Sequence, residues 1–159
     1  MFNKIKNLQK SLVDVQNLIR AQGKEAISEA ACEIFDKFPQ MTSLNWKQYQ
    51  VYCDGDGTQF TVGKLRVDMP STDLAALWNE PEDTEFDEDF WDEVDGLEWH
   101  CERPLSSDAP EVKEMKSMLW NFSKVAFDTD FADLVFGTNI EITVTADGNI
   151  TTKDYYNDY

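Results

Sequence analysis

The first 38 residues carry apolar side chains at the spacing of an α-helix. Between residues 5 and 19 the steps alternate between three and four, the a/d pattern of a coiled-coil seam over about two heptads: Ile5, Leu8, Leu12, Val15 and Ile19. A broader apolar face follows from Ala26 to Phe38, and Pro39 ends the helix. Gly23, between the two faces, either breaks the helix or only weakens it. We predict an amphipathic helix whose residues 1–22 pack on their own domain, form a homodimer contact through the seam, or dock on another partner.

Two later segments have the period of two that is typical of β-strands. Residues 44–53 and 60–67 flank an Asp-Gly-Asp-Gly sequence, which favours a tight turn because glycine readily adopts positive φ. Gly63 in the returning strand indicates a β-bulge. Residues 140–156 have the same pattern around Asp147-Gly148. We therefore predict two antiparallel hairpins that form one sheet.

Two further helices are predicted in the C-terminal third. The first begins at Ser107 or Asp108, with Pro110 in its first turn. Its buried stripe is expected at Val112, Met115, Leu119, Phe122 and Ala126. A shorter helix from Asp130 to Val135 ends near Gly137. Hairpins and separate helices together predict an α+β fold, with residues 1–159 as a single domain and the helices packed on the sheet.

The segment from residue 80 to residue 98 contains eleven carboxylates and neither lysine nor arginine. Its apolar residues fall at i, i+4, i+8 and i+11, which predicts an acidic helix with one apolar face: Phe86, Phe90, Val94 and Leu97. Like charges four residues apart would cost this helix roughly 0.2–0.5 kcal/mol per pair. The charge therefore favours a role in binding a partner. The alternative is a solvated, solubilising face or a flexible acidic loop.

The acidic bias extends over the whole chain, with 31 acidic residues against 14 basic ones and a net charge of -17. Seven carboxylates on eleven helical residues would place one charge per about 2.4 Å at a rise of about 1.5 Å per residue, near the ~1.7 Å of duplex DNA. We therefore predict an inhibitor that mimics nucleic-acid charge. It would block the basic groove of a nucleic-acid-binding host or defence protein, and would not bind nucleic acid itself. Its expected contacts are Glu80, Glu82, Asp83, Glu85, Asp87, Glu88, Asp89, Trp91, Asp92, Glu93 and Asp95.

Cysteine content and hydropathy predict the compartment. Cys32, Cys53 and Cys101 are odd in number and widely spaced, as expected of a protein in a reducing environment. The N-terminus lacks the continuous apolar core of a signal peptide, and no stretch approaches the length of a membrane span. We expect a cytosolic protein without membrane contact, in the host cytosol if a phage encodes it.

No motif predicts catalysis, a metal or a cofactor. His100 and Cys101 are adjacent, and neighbours in sequence form a poor nucleophile–base pair. Phosphate-binding loops, dinucleotide fingerprints and the common hydrolase motifs do not occur in the sequence. The Asp54-to-Gly57 turn departs from an EF-hand, because Gln59 replaces the invariant glycine and the closing glutamate is missing. We predict a protein that is not an enzyme and that needs no cofactor.

The segment from Trp46 to Phe60 resembles the W-x-Q-Y-x-P-Y-x-x-D-G-D-x-x-x-F signature of a family of small proteins of tailed phages and bacteria. Val51 replaces the family's proline, and the approach to the Asp-Gly-Asp turn is shorter. The resemblance implies a phage origin and no particular mechanism. The alternative to the acidic inhibitor is a non-catalytic interaction module whose hairpin binds the partner, through Trp46, Gln48, Tyr49, Tyr52, Asp54 and Asp56.

Overall fold

The computed structural model describes residues 1–55, 57–69, 90–94, 97–101 and 110–156. Within these ranges the helices are α1 (Asn3–Lys37), α2 (Pro110–Ala126) and α3 (Thr129–Phe136). The strands are β1 (Ser43–Cys53), β2 (Gly57–Val62), β3 (Leu65–Met69), β4 (Phe90–Val94), β5 (Leu97–Cys101), β6 (Ile140–Thr145) and β7 (Ile150–Asp154). Separate helices and an antiparallel-rich sheet confirm the predicted α+β class.

The strands form one sheet in the order β4-β5-β3-β1-β6-β7, and β2 also pairs with β1. The long strand β1 is its centre. Residues Ser43 to Gln48 pair with β6 on one side, while the other side pairs with β3 and then β2. All these pairs are antiparallel, whereas β3 and β5 are parallel. The two predicted hairpins therefore share one sheet, as expected.

The predicted bulge in the returning strand is confirmed by the register. Gln48 pairs with Val62 and Asn45 pairs with Arg66, so the returning strand has one residue more than β1 between these pairs. At the break the Gly63 amide donates a hydrogen bond to the Lys47 carbonyl oxygen at 2.8 Å. The extra residue separates β2 from β3 and leaves both paired with β1.

The helix predicted for the acidic segment is wrong where the structure describes that segment. Residues 90–94 and 97–101 form the antiparallel hairpin of β4 and β5, in which Phe90 pairs with Cys101. The helical spacing does not determine the structure here for two reasons. Residues 97–101, Leu-Glu-Trp-His-Cys, alternate apolar and polar side chains as a strand does, and β3 offers backbone groups with which β5 pairs. Repulsion between like charges four residues apart also opposes the helix. Residues 80–89, 95 and 96 lie outside the described part of the chain.

The core lies between one face of the sheet and the helices. The inward residues of β1, β3 and β6 are buried: Leu44, Trp46, Leu65, Val67, Met69, Ile142 and Val144. They meet the second half of α1 and the buried stripe of α2, which consists of the five predicted residues Val112, Met115, Leu119, Phe122 and Ala126. The helices thus pack on the sheet as the apolar patterns predict.

Helix α1 runs without a break through Gly23, which is buried. A Cβ at this position would overlap with Val135 Cγ2, so glycine allows α1 to pass close to α3. Residues 1–22 are exposed except for the partly buried Gln16 and Ile19. The N-terminal part of α1, which we call the arm (residues 1–22), is therefore mostly exposed, and Ile19 near its end packs against the core.

Candidate functional site

The described part of the acidic segment lies at one end of the sheet. Strand β4 is the outermost described strand there and contains Asp92 and Glu93. Glu93 is the register partner of Glu98 in β5, and Glu98 in turn is the register partner of Arg66 in β3. The backbone therefore brings three of the acidic residues together at one sheet edge.

The strand geometry changes the charge spacing on which nucleic-acid mimicry was predicted. Consecutive residues of a strand rise about 3.3 Å, against about 1.5 Å in a helix. The duplex-like density expected of an acidic helix therefore does not apply to residues 90–94. Acidic residues on an outermost strand also discourage pairing with the edge of another sheet. Trp91, in the same strand, is the register partner of His100.

Two residues of the alternative site are part of the core. Trp46 is 1% exposed, and its ring centroid lies 5.2 Å from that of Phe127 and 5.8 Å from that of Phe136. Gln48 is 0% exposed and accepts a hydrogen bond from Trp46 Nε1 at 3.1 Å. A partner cannot reach either side chain, so their predicted role in partner binding is wrong.

Gln48 connects β1 to the middle and to the C-terminal end of α3. Its Nε2 donates hydrogen bonds to the Ala132 carbonyl oxygen at 3.0 Å and to the Gly137 carbonyl oxygen at 2.8 Å. All its polar atoms thus have partners in the core, which offsets the free energy of burying an amide. This polar residue is conformationally important because it fixes where α3 lies on the sheet.

The remaining hairpin residues are accessible to different degrees. Tyr52 is 60% exposed and Asp54 is exposed, whereas Asp56 lies outside the described residues. Tyr49 is half-buried, and its ring centroid lies 5.7 Å from that of Tyr155. Among the described residues, no group of three or more His, Cys, Asp or Glu side chains could hold a metal ion.

The sheet face opposite the helices carries a basic and aromatic cleft that the sequence analysis missed. The cleft has a volume of about 280 Å³, and its lining includes Asn45, Lys47, Tyr49, Lys64, Arg66 and Tyr155. Lys47 Nζ lies 4.6 Å from the centre of the Tyr155 ring. Acidic neighbours temper its charge, because Arg66 Nε lies 3.4 Å from Asp68 Oδ1 and Asn45 Nδ2 donates to Glu141 Oε1 at 3.1 Å. Such a cleft can hold a small anionic group beside an aromatic ring.

The signal for this cleft is present in the sequence. Lys47 and Tyr49 alternate with Trp46 and Gln48, so a strand places the first pair on the opposite face from the second. What brings Tyr155 to the same place is the pairing of β1 with β6 and of β6 with β7, which local sequence does not predict.

The seam of the arm is exposed along most of its length. Leu8 is 70% exposed, Leu12 is 59% exposed and Val15 is 53% exposed, whereas Ile19 is partly buried against the core. Single exposed apolar residues are common on proteins, but a continuous row of them marks a contact surface.

Comparisons with known proteins found no matching family model, curated protein or solved structure. The resemblance of the Trp46–Phe60 segment to a phage family therefore stays a prediction. None of the helices in the described ranges has the length and apolar character needed to cross a membrane.

Proposed function

We propose that this protein is a non-catalytic acidic inhibitor that occupies a basic, nucleic-acid-binding groove of another protein. A phage origin would make a host or defence protein the target. The observation that carries the proposal is the concentration of charge, since eleven of the 31 acidic residues lie between positions 80 and 98. The described part of that segment comprises β4, the outermost described strand at its end of the sheet, and the start of its neighbour β5.

The proposed mechanism is electrostatic competition. The field of a chain with net charge -17 would speed its encounter with a basic groove. Carboxylates would then accept charge-assisted hydrogen bonds from lysine and arginine side chains that otherwise contact phosphates. Binding of this kind weakens as salt rises, because counter-ions screen both surfaces.

Four isosteric substitutions in the acidic segment test the proposal: Glu85→Gln, Glu88→Gln, Asp92→Asn and Asp95→Asn. A control variant removes the same number of charges at exposed positions elsewhere: Asp54→Asn, Glu111→Gln, Asp130→Asn and Asp154→Asn. Both variants and the wild type are immobilised, and bound host proteins that duplex DNA releases are identified by mass spectrometry at low and high salt. We expect the wild type and the control variant to capture a DNA-displaceable protein, and the acidic-segment variant to lose it.

Two outcomes would contradict the proposal. Equal capture by the acidic-segment variant would exclude these carboxylates as the binding groups. Equal loss in the control variant would show that only total charge matters and that no local surface mimics nucleic acid.

The basic cleft favours a second candidate function, an interaction module that binds an anionic group of its partner. Lys47 and Tyr49 belong to the hairpin predicted for that role, and Lys64 lies at its bulge. A Lys47→Gln/Lys64→Gln variant discriminates between the two. If this variant loses the captured protein while the acidic-segment variant keeps it, the cleft is the binding site and the inhibitor proposal fails.

A further inference from the structure

Two apolar surfaces have no role in the proposed function. One is the exposed seam of the arm, residues 5–19. The other is a groove of about 350 Å³ between α1 and α2, with small side chains on one wall and larger ones on the other. Its lining includes Ala26, Ala30, Ile34, Met118, Phe122 and Val125.

The seam and the groove belong to one stripe of α1. At 3.6 residues per turn, residues 5, 8, 12, 15 and 19 and the groove residues 26, 30 and 33 fall within about 80° of the helix circumference. The stripe extends over about 42 Å from residue 5 to residue 33, at about 1.5 Å per residue. With a helix width of about 10 Å it covers roughly 400 Å², which is as large as the largest apolar patches of monomeric proteins. Its arm half carries large side chains and its groove half carries Ala26 and Ala30, both exposed.

The arm lacks the features that stabilise an isolated helix. Its N-cap residue Phe2 makes no side-chain capping hydrogen bond, and no acidic residue lies in the first turn. Lys4 and Lys6 are instead near the positive end of the helix dipole, which is unfavourable. A helix of about 20 residues without packing is only marginally stable in water. A partner that covers the apolar stripe would supply the missing stabilisation.

We propose that this partner is a second copy of the chain, and that each arm lies antiparallel in the groove of the other copy. An alignment centred on Ile19 pairs residue 5 with residue 33, since both are 14 positions from the centre. It places Leu8 and Leu12 of one copy beside Ala30 and Ala26 of the other, so large side chains meet small ones. The contact is twofold symmetric and self-complementary, as most homodimer interfaces are.

The charges of α1 select the antiparallel alignment. The arm is basic, with Lys4, Lys6, Lys10 and Arg20 against Asp14 alone. The groove half is acidic, with Glu25, Glu29, Glu33 and Asp36 against Lys24 and Lys37. A parallel pair would place the lysines of both arms side by side. The antiparallel pair places the lysines of each arm along the acidic groove half of the other copy. It also places the rest of each acidic chain at opposite ends of the dimer.

The oligomeric state of the full chain tests this dimer. Sedimentation equilibrium of the wild type at tens of micromolar is expected to give twice the 18.3 kDa mass of the chain. Leu8→Glu/Leu12→Glu in the arm and Ala26→Glu/Ala30→Glu in the groove are each expected to give monomers. The control Asn7→Glu/Asn17→Glu adds the same charge on the opposite side of the arm and is expected to stay dimeric.

A monomeric wild type would overturn the proposal, and so would a groove variant that stays dimeric while the arm variant dissociates. Orientation is tested by disulfide formation in a chain whose three native cysteines are replaced by serine. A mixture of Leu8→Cys and Ala30→Cys chains is expected to form the mixed cross-link. Cross-linking of Leu8→Cys chains with each other would show a parallel pair and contradict the antiparallel one. Because these readouts do not involve the acidic segment, the dimer and the proposed function can fail separately.

Discussion

Replacing Gln48 by methionine would remove three hydrogen bonds from the core while nearly keeping the length of the side chain. Gln48 is fully buried, accepts from Trp46 Nε1, and donates to the carbonyl oxygens of Ala132 and Gly137. Methionine can fill the same space but offers neither the acceptor nor the two donors. The substitution therefore measures what this polar group contributes to stability.

The expected loss of stability follows from the buried polar groups that would lose a hydrogen-bond partner. The buried indole N–H and the Gly137 carbonyl oxygen would each lose a partner, and an unsatisfied buried group costs about 1–3 kcal/mol. Loss of the hydrogen bond to the Ala132 carbonyl oxygen costs less free energy. That oxygen lies inside α3, four residues before Phe136, whose amide is its partner in a regular helix. Greater apolar burial by methionine returns about 1 kcal/mol. We expect Gln48→Met to lower the free energy of unfolding by about 2–3 kcal/mol.

Chemical denaturation measures this change, and Gln9→Met is the matched control. Gln9 lies in α1 and its side chain is exposed, so its replacement should shift the free energy of unfolding by less than about 0.5 kcal/mol. In a Trp46→Phe background, which lacks the indole donor, the effect of Gln48→Met should fall by about 1 kcal/mol. A Gln48→Met protein within 0.5 kcal/mol of the wild type would refute the assigned role of Gln48.

Two further predictions concern a helix contact and a turn. Gly23→Ala should lower the free energy of unfolding by about 1–2 kcal/mol despite alanine's better helix propensity, because its Cβ would press on the stiff Val135 side chain. Adding Val135→Ala should relieve the clash, so denaturation of the double mutant should show less than additive loss; full additivity would contradict the contact. Hydrogen bonds lower the pKa of Asp147, chiefly the one from the Thr145 hydroxyl and secondly the one from the Asn149 amide. The ionised carboxylate therefore stabilises the fold at a pH above its ordinary pKa, and this stabilisation is lost as the pH falls through the lowered pKa. Thr145→Val should raise the pKa of Asp147 in an NMR titration, and an unchanged pKa would show that the hydroxyl has no such effect.

Local period predicted the helices well because nothing in their sequences competes with it. The five-residue stripe of α2 is buried as predicted, and α3 begins with the Asp128 side chain accepting a hydrogen bond from the Phe131 amide. The two hairpins follow from alternation and from glycines at their turns. In each case the local preference and the tertiary packing agree.

In the acidic segment, local periodicity predicts the wrong secondary structure. Phe90, Val94 and Leu97 are spaced as on a helix, yet residues 97–101 also alternate as in a strand. The choice depends on β3, about 30 residues earlier in the chain, whose Leu65 pairs with Leu97. The sequence of a short segment does not show which distant strand will pair with it in the folded protein. The helical spacing, taken by itself, therefore predicted the wrong secondary structure.

The candidate sites were only partly predictable for a related reason. Alternation assigns Trp46 and Gln48 to one face of β1, but it does not say which face the helices cover. A tryptophan and a glutamine on one strand face therefore suggest a binding site, whereas the fold buries both Trp46 and Gln48. The basic cleft was missed because it combines residues of the first hairpin with Tyr155 near the C-terminus.

The burial of Trp46 and Gln48 also makes the functional proposals separable from stability. These two motif residues position α3 and fill the core, so substitutions there unfold the protein before they report on binding. The seam of the arm is exposed, and Ala26 and Ala30 line an open groove, so changing them alters contacts with a second molecule more than contacts within the chain. Isosteric neutralisation of the acids likewise removes charge without changing volume. Loss of binding or of dimerisation in these variants, with an unchanged melting transition, is therefore attributable to the surface that was changed.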